Sequence, residues 1–451
     1  MLGSEYNWLI SFTRTEDGPP RVRLASGAWL TLAIAVFCFL CVALRAEADQ
    51  RSLQREAAAA LQTGDTTLAI AKLEAARALR PDYPHVLLSL ARAYAAAGRA
   101  ADAIDQLREL AAIGLDLRIA ADPALAPLRA RADFQALVAG FAANHAARGA
   151  ARDESAWTIP AATGIIEGLA INPDTQEAFF GDVHNRCIWC RAAGDPSAGL
   201  RKFSRDTDGL LGVFALKLDP GSNTLWASSS AVPEMSGYAA ADRGRSLLAA
   251  YDLSTRALRH TYALPADGRD HVLGDFTFGT DHSIYVTDSL APVIWRLAPG
   301  GAALEKWFES GEFVSLQGLA LSDDRRSLCV ADYASGLWRI PLDVPAATRL
   351  PAPAHTTLLG IDGLYAVAGG LVGVQNGVSP QRIVRIALDA VGRPTAGTIL
   401  AAGLPAMTDL ALGQILEGRL AFVGNSGWAL FDDPKTTPAS RAVNILSTQV
   451  D

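Results

Sequence analysis

The chain has 451 residues, 50% of them hydrophobic and 19% charged, a globular composition in a chain too long for one hydrophobic core. Its 40 basic against 47 acidic residues leave a net charge of −7, and no stretch interleaves Lys or Arg with aromatics, which argues against nucleic acid as a partner. Five cysteines, two of them inside an apolar run, are too few to staple a disulfide scaffold.

The first element is apolar. Residues 1–26 form a polar leader, and GAWLTLAIAVFCFLCVAL, from Gly27 to Leu44, then runs 18 residues without a charge. That is about the minimum for a helix to cross the hydrocarbon core. Residues 27–45 are therefore expected to contact the membrane as a transmembrane anchor or signal segment. Arg14, Arg21 and Arg23 lie before the run, and Glu47 and Asp49 follow it. By the positive-inside tendency the leader is cytoplasmic and the remainder lies outside, on the periplasmic face of a bacterial-type inner membrane. The rival is a signal peptide cleaved near Ala48, since Ala46-Glu47-Ala48 is a small-residue site. The long leader favours the uncleaved anchor.

Residues 51–141 are rich in alanine and take a helical period, with apolar positions such as Ala69, Leu73, Ala76 and Leu79. Gly64 recurs as Gly98, Ala69 as Ala103 and Leu73 as Leu107, each 34 residues later. This self-match resembles the tetratricopeptide repeat, with the glycines at the turn of a helix pair and the alanines at the close helix contact. A degenerate third piece from Ala120 is expected to cap the stack. Such a region either docks a protein partner or serves as a spacer, and its residue pattern leaves both open. Residues 142–156, small and charged, are expected to form a linker.

Between Ile166 and Phe431, within an expected propeller of residues 157–437, one phrase recurs six times: a small polar start, an alternating apolar run, a turn, a second run ending near Asp, and a third closing on Trp, Ile or Leu. Aligning Leu169, Leu216, Phe276, Leu319, Leu364 and Leu410 gives steps of 47, 60, 43, 45 and 46 residues, the length of a four-stranded propeller blade. The fold class expected is thus multidomain α and β: a transmembrane helix, a short helical array and a C-terminal six-bladed β-propeller, with residues 438–451 as a tail. A propeller gathers the starts of its inner strands around one channel. Those positions, two before each aligned residue, are Glu167, Phe214, Gly274, Gln317, Asp362 and Thr408.

Three of these starts read Glu167-Gly168-Leu169, Gln317-Gly318-Leu319 and Asp362-Gly363-Leu364, and they resemble the regucalcin/gluconolactonase-like family of six-bladed propellers. The resemblance implies that Glu167, Gln317 and Asp362 hold one divalent cation (Ca, Mg or Mn), and that Asp362 is the catalytic general base of lactone hydrolysis. Gln317 departs from the family's Asn by one methylene. Gly274-Asp275 stands where the family has a substrate-touching Asn, making Asp275 the candidate substrate contact, and Val272 replaces an Arg that would hold an acidic sugar. Apart from the family, two carboxylates and an amide converging on a channel call for a neutralising cation, and oxygen ligands select a hard one. The rival is that they cap backbone N–H groups. No cofactor-binding fingerprint, nucleophile elbow or zinc helix is present in the sequence.

The remaining conspicuous residues read as structural. Cys187 and Cys190 lie on one strand with thiols on opposite faces. Asp182, Asp288 and Asp332 recur at one place in the phrase, as turn caps do. His184 and His271 are expected at the surface, and Trp189, Trp226, Trp295 and Trp338 between blades. Two function classes follow: a binding or scaffolding protein with a protein partner on the helices and a small molecule at the propeller mouth, or a metal-dependent lactone or ester hydrolase.

Overall fold

A computed structural model describes residues 50–146, 148–149, 152–192, 199–431 and 439–450. The apolar segment 27–45 lies outside them, and among the described residues no helix is long and apolar enough to cross a membrane. The chain divides into two compact units, Met1–Arg80 and Pro81–Asp451.

The first unit contributes helices α1 (residues 50–62) and α2 (Thr66–Leu79). Gly64 takes φ +80° in the turn between them, a left-handed conformation open to glycine at little cost, and Asp65 caps α2 by accepting from the Leu68 N–H at 2.9 Å. Ala69 and Leu73 are buried.

The second unit repeats the device. Helices α3 (Pro84–Ala96) and α4 (Ala100–Ala112) flank Gly98 at φ +74°, and Ala103 and Leu107 are fully buried. The 34-residue register therefore holds at turn and contact alike. The degenerate third piece forms two short 3₁₀ turns, Ile119–Ala121 and Pro123–Leu128, and helix α5 (Ala132–His145). Asn144 on α5 donates to the carbonyls of Ala111 and Leu115 at 2.8 and 2.9 Å, tying α5 to the end of α4 and the turn after it.

The rest of this unit is a propeller of six antiparallel sheets. Their inner strands are Ile166–Ile171, Gly212–Asp219, Leu273–Phe278, Leu316–Leu321, Leu364–Val367 and Gly413–Leu416. One apolar cluster fills each gap between neighbours. Phe179, Val213 and Tyr251 share the first gap, Tyr285, Leu319 and Trp338 the third, and Ile159, Phe180 and Val423 the last. Trp295 and Trp338 are buried, with Trp189 and Trp226 packed at the cluster margins, as expected of inter-blade residues.

Both propeller boundaries read from the sequence need correction. Blade six is completed by Arg441–Gln449 and by Arg152–Ala162, so residues placed in a C-terminal tail form an interior strand, and the end of the expected linker forms the outermost one. Joining the two ends of the propeller segment in one sheet closes the ring and removes an exposed edge. Other described residues of the 142–156 stretch also carry structure: α5 runs to His145, and Arg148–Gly149 pairs with the outer strand of blade five, Pro394–Ala402.

The helices of this unit are fastened to blades four and five. Arg382, fully buried, donates from Nε to Gln375 Oε1 at 2.6 Å and from Nη1 to the Ile113 carbonyl at 3.0 Å. The Asp116 N–H donates to the Ser379 carbonyl at 2.6 Å. Asp82 meets Arg349 Nη1 at 2.9 Å and accepts from the Ala352 N–H.

Candidate functional site

The Gly after each family-like residue has a steric cause. A Cβ on Gly168 would lie 2.1 Å from the Phe214 carbonyl oxygen, and one on Gly318 would lie 2.4 Å from that of Asp362. The inner strands thus approach at the channel too closely for any side chain but hydrogen, and the Gly318 N–H donates to the Asp362 carbonyl at 2.6 Å. Register corrects one start. In blade five Asp362 N–H pairs with the Val374 carbonyl, and in blade six Ala411 N–H pairs with that of Val423. Ala411, not Thr408, therefore stands at the sixth start.

At this mouth lies a cavity of about 290 Å³, lined in part by Glu167, Gln317 and Asp362 together with Phe214 and Gly274. Trp428 Nε1 donates to Glu167 Oε2 at 2.6 Å. Asn376 Nδ2 donates to Asp362 Oδ2 at 2.8 Å and to the Leu410 carbonyl, while its own oxygen accepts from the Tyr333 hydroxyl at 3.0 Å. Each carboxylate is thus gripped through one oxygen, and Glu167 Oε1 and Asp362 Oδ1 have no donor among the described residues. Gln317 is turned aside: Oε1 accepts from Ser289 Oγ at 3.3 Å, and Nε2 donates to Ser315 Oγ at 3.1 Å. A Cβ on Gly274 would stand 2.7 Å from Ser289 Oγ, so the blade-three Gly leaves room for the hydroxyl that holds the Gln317 amide.

Burial pushes the Asp362 carboxyl up to about 7, opposed by the Asn376 hydrogen bond and reinforced by the charges of Asp275 and Asp409. Burial likewise raises Glu167 well above the ordinary carboxylate range, with the Asp362 charge adding to it and the Trp428 bond opposing. The Tyr333 hydroxyl is pushed up to about 12, by burial first and then by Asp362. The pair therefore accommodates a proton or another cation near neutral pH.

Asp275 is elsewhere. It does not line the mouth cavity; it is buried, its Oδ1 2.9 Å from Lys217 Nζ, with Oδ2 unpartnered among the described residues. The expected substrate contact is instead half of a buried ion pair, because the alternation of the strand turns Asp275 away from the start that Gly274 occupies. The recurring aspartates are turn caps as expected. Asp288 Oδ1 accepts from the N–H groups of Val272, Leu290 and Ala291, and Asp332 from those of Val314, Ser315, Ala334 and Ser335. His271 departs from expectation: it is buried, with Nδ1 2.6 Å from Asp288 and Nε2 2.9 Å from Asp267. Cys187 and Cys190 are buried free thiols.

Trp428, Asn376, Tyr333 and Asp409 escaped the sequence reading. Asp409 Oδ2 accepts from the N–H groups of Gly427 and Trp428 and from Ser426 Oγ, which sets the turn that carries Trp428 to the mouth. The signal in the sequence is Asp409, two residues before the true start of blade six at Ala411.

Residues 60–132 match the tetratricopeptide repeat family. Comparison with curated proteins returns no match. Among solved structures, a putative gluconolactonase is similar at 16% identity and a TM-score of 0.45, over 68% of this chain and 98% of its own. The PQQ-bound aldose sugar dehydrogenase of Streptomyces coelicolor is similar at 16% identity and 0.44, over 66% and 98%. Virginiamycin B lyase of Staphylococcus aureus is similar at 15% identity and 0.43, over 59% and 80%. At these identities the likeness says nothing of activity.

Proposed function

We propose that the protein is a binding or scaffolding protein, with helical-repeat and propeller surfaces for partners and a mouth that holds a small ligand. The observation carrying this reading is the buried Arg382, which ties the carbonyl at the end of α4 to blade five. A partner gripped by α3 and α4 would be held at a fixed distance from the mouth, as a scaffold requires. Site-specific photo-crosslinkers at exposed Asp105 and Arg108 on α4, with Asp389 on blade five as control, test it in cells. A discrete adduct at the α4 sites alone supports the reading; equal, diffuse crosslinking at all three sites refutes it. We further propose that residues 27–45 anchor the chain with the rest facing the periplasm, which an active alkaline phosphatase fusion at Asp153 would support and an inactive one would contradict.

A second reading, a lactone or ester hydrolase dependent on a divalent cation, is favoured by Asp362, whose carboxyl titrates at about 7 inside the same cavity. The donors fit a hard ion in kind: Glu167 Oε1, Asp362 Oδ1 and the Gln317 amide oxygen would hold it. Among the described residues no three His, Cys, Asp or Glu side chains form a metal-binding group, so the amide is required. When bound, such an ion polarises a carbonyl. Asp362 would take the proton of the attacking water, and Trp428 and Asn376 keep the two carboxylates oriented. Hydrolysis of an aliphatic lactone that is lost in Asp362→Asn would favour this reading over the first.

A further inference from the structure

We propose that the propeller mouth takes a small organic cation, an ammonium group carried on an apolar body, with Glu167 and Asp362 receiving the charge and Trp428, Phe214 and Tyr333 walling the body. The inference rests on reading the mouth as the ligand site and specifies the chemical class that site accepts.

Three observations on the cavity converge. The first is charge. Among the described residues Glu167 and Asp362 each present an oxygen without a donor, and none of the lining residues is Lys or Arg. An anionic ligand would meet two carboxylates and no counter-charge, whereas an ammonium N–H finds two acceptors at once. The second is the wall. Phe214 and Trp428 stand with ring centroids 6.0 Å apart, and Val232, Val272 and Leu412 continue the surface. A bare hard ion gains nothing from such a wall, since it is satisfied only by oxygens on every side. An alkyl or aryl body gains by burial there, and aromatic faces attract a cation directly. The third is rigidity. Trp428 is pinned by its bond to Glu167 and by Asp409 at its own N–H, and Asp362 is pinned through Asn376 and Tyr333. Acceptors and wall are thus set before the ligand arrives, which lowers the ordering cost of binding. A volume of about 290 Å³ lies at the small end of ligand pockets and limits the body to roughly one ring.

The test uses the full chain, stripped of metal with EDTA, and three probes of one shape: benzylamine, benzyl alcohol and benzoate, titrated by calorimetry. Benzylamine is expected to bind at least about tenfold more tightly than benzyl alcohol, and Glu167→Gln and Asp362→Asn, which keep shape and remove charge, are each expected to weaken it about tenfold or more. Both variants are checked for folding by thermal melting. Equal binding of amine and alcohol, or preference for benzoate, overturns the cation while leaving the mouth a ligand site. Binding of benzylamine indifferent to both substitutions places it elsewhere and overturns the proposal. Absence of any probe binding, with Ca²⁺ raising the melting temperature of the wild type and not of Asp362→Asn, makes the mouth an inorganic ion site and overturns it as well.

Discussion

Trp428 Nε1 donates to Glu167 Oε2 at 2.6 Å across 261 residues of sequence, so the first blade and the turn closing the sixth meet at the mouth. The bond exists only when the ring is shut. Because Asp409 sets the turn beneath Trp428, the acid and its donor are positioned by three elements at once. Closure of the fold and assembly of the candidate site are therefore the same event.

Trp428→Phe keeps most of the wall and removes this donor from a carboxylate that is 6% exposed. Leaving a buried acceptor unpaired costs about 1–3 kcal/mol, and that loss is expected in urea unfolding at neutral pH. In the background of Glu167→Leu the same Trp428→Phe change should cost markedly less, so equal losses in both backgrounds would mean the bond contributes nothing.

The pH dependence follows from Asp362, whose carboxyl moves from an ordinary 3.8 to about 7 on folding. The folded state binds this proton more tightly than the unfolded state. Its stabilising contribution is fully present below about pH 4 and is lost as pH rises through about 7. Wild type and Asp362→Asn, both metal-free, should therefore melt more nearly alike at pH 5, with the variant gaining on the wild type by pH 8. A gap that stays constant from pH 5 to 8 would contradict the assignment.

If Glu167, Gln317 and Asp362 hold a divalent cation, Ca²⁺, Mg²⁺ or Mn²⁺ at a hundredfold excess over Kd should stabilise the fold by about 2.7 kcal/mol. Asp362→Ala should abolish the shift. Gln317→Asn, shorter by one methylene, should tighten binding if amide length is what weakens the site, and a melting temperature indifferent to all three ions at millimolar concentration counts against the site.

Arg382 is fully buried between blade five and the end of α4. Arg382→Ala leaves Gln375 Oε1 and the Ile113 carbonyl without this donor, and a loss of about 1–3 kcal/mol for each unpaired acceptor is expected in chemical unfolding. Protease should then cut residues 146–152 faster than in the wild type, and unchanged cleavage would show that other contacts fasten the helices.

Deleting residues 439–451 removes the strand Arg441–Gln449 that lies between Arg419–Val423 and Arg152–Ala162. The outer strand then has no partner and the ring stands open at an edge. Expression of this truncated chain should give aggregate, and a monomeric, cooperatively melting product would contradict the closure.

The sequence by itself determined what local periodicity can encode. A 34-residue self-match placed Gly64 and Gly98 at helix turns and Ala103 and Leu107 in the core, because a repeat writes the same steric demand twice. The blade phrase placed six sheets and brought Glu167, Gln317 and Asp362 to one cavity, and the glycines after Glu167 and Gln317 mark where neighbouring strands crowd the channel. Only the tertiary structure decided the rest. That Arg441–Gln449 and Arg152–Ala162 share a sheet depends on closing a ring, which no local pattern records. Thr408 gave way to Ala411 because register is fixed by hydrogen bonds to the neighbouring strand rather than by the spacing of leucines. Asp275, expected as a substrate contact, lies outside the mouth lining as Lys217's buried partner, since strand alternation turns it away from the start that Gly274 occupies. Trp428, Asn376 and Tyr333 acquire meaning only where folding sets them beside a carboxylate, as interactions between residues distant in sequence leave no periodic trace in it.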